Sequence, residues 1–154
     1  KYSTSLMFCL SKGLCSPVGS ILAGDAEFIK KARKNRKLLG GGLRQAGYLA
    51  AAGIVSLTQM VDRLSEDHEN AKLLAQELNK FDEIDVDFDN LKINMVFFKI
   101  KESINTKDLV KFFYEKGIKI NDAENGKMRF VTHYWVTKED IKTIINTLKA
   151  FLNK

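Results

Sequence analysis

Ser5 to Leu10 form a mostly apolar, strand-like run, and Val18 to Ala23 resume it after an interruption punctuated by Gly13 and Pro17. This pattern predicts strand, turn, strand, with Lys12 in the turn. Asp25 then offers a cap for a helix reaching about Leu38. Glu27 in its first turn, and Arg36 and Lys37 in its last, suit the two ends of the helix dipole. Phe28, Ala32 and Leu39 fall on one side of it, with cations filling the rest. Gly40, Gly41 and Gly42 stop the helix. From Gln45 to Met60 the residues are small or apolar nearly all round, which predicts a helix buried on several sides. Ala50, Gly53 and Leu57 permit close packing there. After Asp62, a stripe of Leu64, His68, Ala71, Ala75 and Leu78 at spacings of three and four predicts a long amphipathic helix.

The remainder reads as α+β. Ile84, Val86 and Phe88 alternate as in a half-buried strand, and Met95 to Ile100 form a second. Thr106 starts a helix through Leu109, Val110 and Phe113 that Gly117 ends. Ile118 to Ile120 and Met128 to Thr132 predict two more short strands, joined by a turn at Asn125-Gly126. Thr137 and Asp140 have capping-box spacing, and the helix after them carries Ile141, Ile144, Ile145, Leu148 and Phe151 on one face. Four short strands against two or three helices make a compact sandwich. The pattern places a domain boundary near residue 61, dividing the chain into 1–61 and 62–154, without a flexible linker.

Composition narrows the class. The chain has 154 residues, 45% of them hydrophobic, which suffices for a globular core. The apolar stretch around Ala46 to Leu57 is too short to span a membrane and contains two glycines. The first residues carry no basic region followed by a long apolar run, so no secretory leader is expected. Cys9 and Cys15 have no second pair to form a zinc site, and no metal is expected. Both lie in the apolar stretch and are expected to be buried free thiols in a reducing cytoplasm. The net charge of +6 raises nucleic-acid binding as a possibility. It is set aside because six cations cluster between Lys30 and Lys37, where they read as a solvated helix face. No interleaved aromatic platform accompanies them.

Three features carry candidate chemistry. Lys12 sits between two apolar strands. Burial favours a neutral lysine amine, the nucleophile that forms Schiff bases with aldehydes. The pattern alone favours a turn lysine pointing to solvent. Gly40 to Gly42 can present backbone N–H groups to an anion, or be a plain loop. Arg129 lies in the strand pattern KMRFVTH, facing solvent or holding a carboxylate through its two-pronged guanidinium. His68 reads as a packed, hydrogen-bonded residue rather than a base, and His133 as structural.

The runs CLSKGLCSPVGSILAGD and RKLLGGGLRQAGYLAAAGI, followed in order by VDRLSEDHENA, INMVFF and RFVTHYWV, resemble the low-specificity L-threonine aldolase family over nearly the whole chain. The resemblance implies an α/β fold of the pyridoxal-phosphate, aspartate-aminotransferase-like type (fold type I). Residues 1–61 would be the C-terminal portion of the cofactor-binding large domain and residues 62–154 a small α+β C-terminal domain. It implies that Lys12 carries pyridoxal 5'-phosphate as an internal aldimine and is the catalytic residue. Lys37 and Arg44, beside the glycine run, become candidate anion-binding residues for the cofactor, and Arg129 becomes the site for the substrate carboxylate. The implied reaction is retro-aldol cleavage of a β-hydroxy amino acid, with threonine giving glycine and acetaldehyde. The implied setting is a cytoplasmic homodimer or homotetramer, with no membrane or nucleic-acid partner.

A family member is more than twice as long, and its cofactor lysine lies past the middle. The chain therefore resembles the C-terminal part of such an enzyme and is expected to be inactive and prone to associate without the N-terminal part. Two departures stand out: Cys15 occupies a position where a small residue is common, and Tyr134 and Trp135 follow His133 where a polar residue is common. A related enzyme such as a β-eliminating lyase or a hydroxymethyltransferase-like protein, or a folded piece without catalysis, are the other readings.

Overall fold

The computed structural model describes residues 2–153, which divide into two compact units, Lys1–Leu64 and Ser65–Lys154. In the first, β1 (Ser5–Cys9) pairs antiparallel with β2 (Ser20–Gly24), Ser5 opposite Gly24 and Cys9 opposite Ser20. The ten residues between them form a structured loop. The Leu10 N–H donates to the Gly19 carbonyl at 2.9 Å and the Ser16 N–H to the Leu10 carbonyl at 3.0 Å. Inside that closure the Cys15 N–H donates to the Lys12 carbonyl at 2.9 Å, a tight turn that leaves Cys15 at a left-handed φ of 59°.

Helix α1 (Ala26–Leu38) starts where its cap predicts: the Asp25 carboxylate accepts from the Phe28 N–H at 2.8 Å. The Phe28 ring lies across Gly24, where an added Cβ would come within 2.7 Å of it and would have to displace the ring. The helix ends in a Schellman motif. Gly40, at φ 82°, donates to the Lys37 carbonyl at 3.2 Å, and Gly41 donates to the Arg36 carbonyl at 2.8 Å. Those two N–H groups are therefore committed to the helix end rather than presented to an anion.

Helix α2 (Gly47–Gln59) buries only Gly53 and Ser56, while Tyr48, Ile54, Val55 and Leu57 are exposed. The expectation of burial on several sides does not hold within this unit. Its two buried residues are small, while several of its large ones are exposed. The two strands are likewise mostly exposed, with Leu6, Met7 and Leu22 open to solvent, because a two-stranded ribbon provides no second sheet to cover them. The cysteines share this environment: Cys9 is half-buried and Cys15 exposed, against the expected burial of both.

The second unit is built on a three-stranded antiparallel sheet of order β3 (Ile84–Val86), β4 (Met95–Ile100), β5 (Met128–Val131). Alternation along each strand turns Ile84, Val86, Val96, Phe98, Met128 and Phe130 into the core. Ala71, Leu74, Ala75 and Leu78 of α3 (Leu64–Leu78) enter the same core, as do Leu109 and Phe113 of α4 (Thr106–Glu115) and Ile141, Ile144 and Leu148 of α5 (Lys138–Leu152). The Phe98 and Phe130 rings stack at 5.4 Å, with Phe113 tilted against Phe130 at 6.1 Å. The capping box forms as the spacing predicts, Thr137 and Asp140 each satisfying the other's backbone N–H.

Three expectations need correction. Residues 118–120 form no strand. The Ile118 N–H returns to the Phe113 carbonyl at 2.9 Å, and Ile118 and Ile120 pack their side chains on the core without joining a ladder. The Asn125-Gly126 turn exists, with φ of 52° and 75°, but it closes only the single bridge of Glu124 with Lys127. Phe88 lies in a 3-10 turn, Phe88–Asn90, that Asp87 caps. The unit thus has three strands rather than four. On α3 the buried stripe also includes Asp67, which the apolar pattern could not mark.

Cys15 gives a direct test of the loop. A left-handed conformation costs a non-glycine residue about 1–2 kcal/mol, whereas glycine carries about 0.5–1 kcal/mol more conformational entropy to lose. Cys15→Gly is therefore expected to stabilise the protein by roughly 0.5–1 kcal/mol in chemical denaturation. A clear loss of stability would contradict the turn.

Candidate functional site

The first unit carries Lys12, Lys37 and Arg44, and the second carries Arg129. Lys12 is exposed at the first position of the tight turn that the Cys15 N–H closes. The loop bearing it is anchored through its buried residues, Leu10, Leu14 and Ser16. The Ser16 hydroxyl is hydrogen-bonded to that of Ser56 on α2 at 2.7 Å. This leaves the amine on the accessible side of a backbone that is fixed on the other.

Lys37 folds back over the glycine run: a Cβ built on Gly42 would lie 3.2 Å from its Nζ and 2.5 Å from its Cδ. Glycine at 42 is what lets the ammonium lie against the backbone. Arg44 is exposed, two residues before Ala46, which caps α2 with no side-chain hydrogen bond. Gln45 between them has a left-handed φ of 51°. A cation thus stands at the start of a helix whose first N–H groups receive no side-chain cap, the end of a helix where negative charge is stabilised.

Arg129 is exposed on the face of β5 opposite the core, with its guanidinium carbon 5.9 Å from the centre of the Phe97 ring, its cross-strand partner. The ring holds the planar group without consuming its five donors, which remain free to grip a carboxylate. The side chain lines a groove of about 1050 Å³ shared with Tyr114, Asp122, Lys127 and His133. The His133 Nδ1 accepts from the Trp135 N–H at 3.3 Å, so this exposed ring fastens its own loop. Tyr134 and Trp135 meet edge to face at 4.7 Å, with Trp135 exposed. His68 is half-buried on α3.

Two acidic groups of the groove, Asp122 and Asp140, are already engaged. The Thr106 hydroxyl, 2.6 Å from Asp122, and then the Ala123 N–H hold that carboxyl below its ordinary range. The Thr137 hydroxyl and N–H do the same for Asp140. On the neighbouring surface the Lys127 ammonium, 2.8 Å from Asp87, lowers that carboxyl, helped by Asn90. All three carboxylates stay ionised at neutral pH as partners of particular donors.

Among the described residues there is no group of three or more His, Cys, Asp or Glu placed to hold a metal, and no helix is long and apolar enough to cross a membrane. The pairing of Ser16 with Ser56, forty residues apart, was not visible in the sequence. No periodicity marks it, and a serine inside an apolar helix is the one faint signal.

A family model described as beta-eliminating lyase matches residues 1–101. A low specificity L-threonine aldolase of Escherichia coli K12 is 40% identical over 152 residues, covering 99% of this chain and 44% of that protein. The chain spans less than half the length of the curated relatives it matches at full coverage. Among solved structures, a putative L-allo-threonine aldolase of Listeria monocytogenes superposes with a TM-score of 0.73 at 18% identity, covering 96% of this chain and 44% of that one. A PLP-dependent aminotransferase of Streptococcus suis gives 0.73 at 16% identity, covering 97% and 41%. The fold is that of the fold-type-I pyridoxal-phosphate enzymes, α/β in class as the resemblance implies. With two thirds of its length inside the family model, and its curated relatives named as threonine aldolases, the chain belongs to the beta-eliminating lyase family and is related within it to the low-specificity L-threonine aldolases.

Proposed function

We propose that this chain supplies the cofactor lysine and the substrate-carboxylate arginine of an enzyme that cleaves L-threonine or L-allo-threonine to glycine and acetaldehyde. The observation that carries the reading is Lys12: an accessible primary amine on a closed turn, at the lysine of the SKGL motif in a chain 40% identical to a threonine aldolase. Such an amine suits the aldehyde of pyridoxal 5'-phosphate. When bound, that cofactor supplies a conjugated ring that takes up the electron pair left on Cα as the Cα–Cβ bond breaks.

The chain's own residues then have distinct tasks. Lys12 would hold the cofactor by its amine and would carry a proton at Nζ. Arg129 binds the substrate carboxylate through two parallel N–H donors, which sets the orientation of the scissile bond. Lys37, lying against Gly42, and Arg44, at the start of α2, are the cations offered to the cofactor's anionic group. The base for the substrate hydroxyl belongs to the rest of the enzyme, so the chain alone is inert. On this reading residues 1–61 are part of the cofactor-binding domain and residues 62–154 are the small domain. The complete enzyme is a cytoplasmic homodimer or homotetramer.

The description of the matching family model favours a second reading, β-elimination. Product analysis of the enzyme containing this chain separates the two. Aldol cleavage yields glycine and an aldehyde, whereas β-elimination yields a keto acid and ammonia. Glycine and acetaldehyde in equal amounts from threonine are expected, and Lys12→Ala should abolish them with the fold retained. A keto acid as the main product would overturn the aldolase reading.

Arg129→Lys removes the planar fork and leaves a point charge. A charged hydrogen bond contributes about 1.5–3 kcal/mol, so KM for threonine should rise roughly tenfold to a hundredfold while cofactor affinity stays within about twofold. A near-normal KM would remove Arg129 from the carboxylate site.

A further inference from the structure

Both ends of the loop that carries Lys12 are seated on one face of α2. The Ser16 N–H and the Leu10 carbonyl, 3.0 Å apart, join the two ends. At the first end, Leu10 is buried and packs over Gly53, where an added Cβ would lie 3.2 Å from its Cδ1. At the second end, Ser16 is hydrogen-bonded to Ser56 at 2.7 Å, the two residues 7% and 3% exposed. Gly53 and Ser56 are three residues apart and so lie on the same side of the helix. A helical serine or threonine hydroxyl commonly turns back to its own helix, as Thr58 does in bonding the Ile54 carbonyl at 2.8 Å. Ser56 instead reaches forty residues back along the chain.

From this arrangement we infer that Ser56 is a positioning residue for the Lys12 amine, acting through Ser16 and the loop closed between Leu10 and Ser16. The inference rests on Lys12 being the cofactor lysine. The Lys12 carbonyl is fixed by the Cys15 N–H, and the next residue, Ser16, carries the tertiary bond. Between Lys12 and the helix there is thus a short, hydrogen-bonded path. Without the Ser16–Ser56 bond the loop keeps its apolar anchor at Leu10 but loses the polar one that stops it pivoting. A reacting group misplaced by about 1 Å can cost on the order of a hundredfold in rate. A partial release of the loop should cost less.

The test uses the holoenzyme containing this chain and the variants Ser16→Ala, Ser56→Ala, Ser16→Ala/Ser56→Ala and Ser56→Thr. Measured are kcat, KM for threonine, and the visible circular dichroism of the bound cofactor, which reports how it is oriented. Each single alanine variant should lose roughly tenfold in kcat, with KM within about twofold and a weakened visible dichroism. Ser56→Thr, which keeps the hydroxyl, should restore both. The double variant should be no worse than either single one, because the two residues act through one bond. It also removes the unpaired buried hydroxyl, so it provides a folded protein if a single variant fails to fold.

Wild-type dichroism and kcat in the alanine variants, even with a lowered denaturation midpoint, would show that the bond only stabilises and would overturn the inference. A Lys12→Ala holoenzyme that kept the wild-type visible dichroism would instead overturn the Lys12 reading, and the inference with it.

Discussion

The seating of one loop on one helix is the constraint on which the first half of this protein depends. Two apolar strands, β1 and β2, would by themselves make a marginal ribbon. The ten residues joining them are held by three backbone hydrogen bonds, by Leu10 over Gly53 and by the Ser16–Ser56 hydroxyl pair. The same contacts explain the composition of α2. A glycine and a serine are poor helix formers, yet they occupy the face that receives the loop, the one lying close under Leu10 and the other supplying the hydroxyl for Ser16. From that seat follow the exposed, backbone-fixed position of Lys12 and the proposed chemistry.

The second half depends on a different principle. Its sheet and three helices share one apolar core centred on Phe98, Phe113 and Phe130, and the strand alternation that turns Phe98 and Phe130 inward places Phe97 and Arg129 on the other face. Arg129 is therefore presented by the same register that builds the core. A one-residue slip of β5 would bury the guanidinium and expose Phe130. In the first half the distribution is reversed, with Ile54, Val55 and Leu57 outside and Gly53 and Ser56 inside. An exposed apolar face of this kind is what is expected of a unit that shares a core with further structure.

Local signals in the sequence located most elements. Asp25 and the Thr137–Asp140 box start helices where capping chemistry predicts, α4 begins at Thr106 as read, and Gly40 and Gly117 end helices with left-handed φ. The turn holding Lys12 was legible because Gly13 and Pro17 interrupt two apolar runs. Failures came where tertiary context decided. Ile118 and Ile120 have strand periodicity but pack side chains without a ladder, and Phe88 follows two alternating residues but lies in a 3-10 turn. The apolar character around Cys9 and Cys15 suggested burial that a two-stranded ribbon does not provide. Of the site, residue types in familiar motifs drew attention to Lys12, Lys37, Arg44 and Arg129. The Ser16–Ser56 bond left only the faint signal of a serine inside an apolar helix and the buried Asp67 left none, because a single polar residue at a packed position has no periodicity.

The most direct measurement of the central claim is borohydride reduction of the holoenzyme followed by peptide mapping. Reduction turns the bond between cofactor and amine into a stable secondary amine that marks the lysine involved. The account predicts a single pyridoxyl label on the peptide containing Lys12. A label on any other lysine would contradict it.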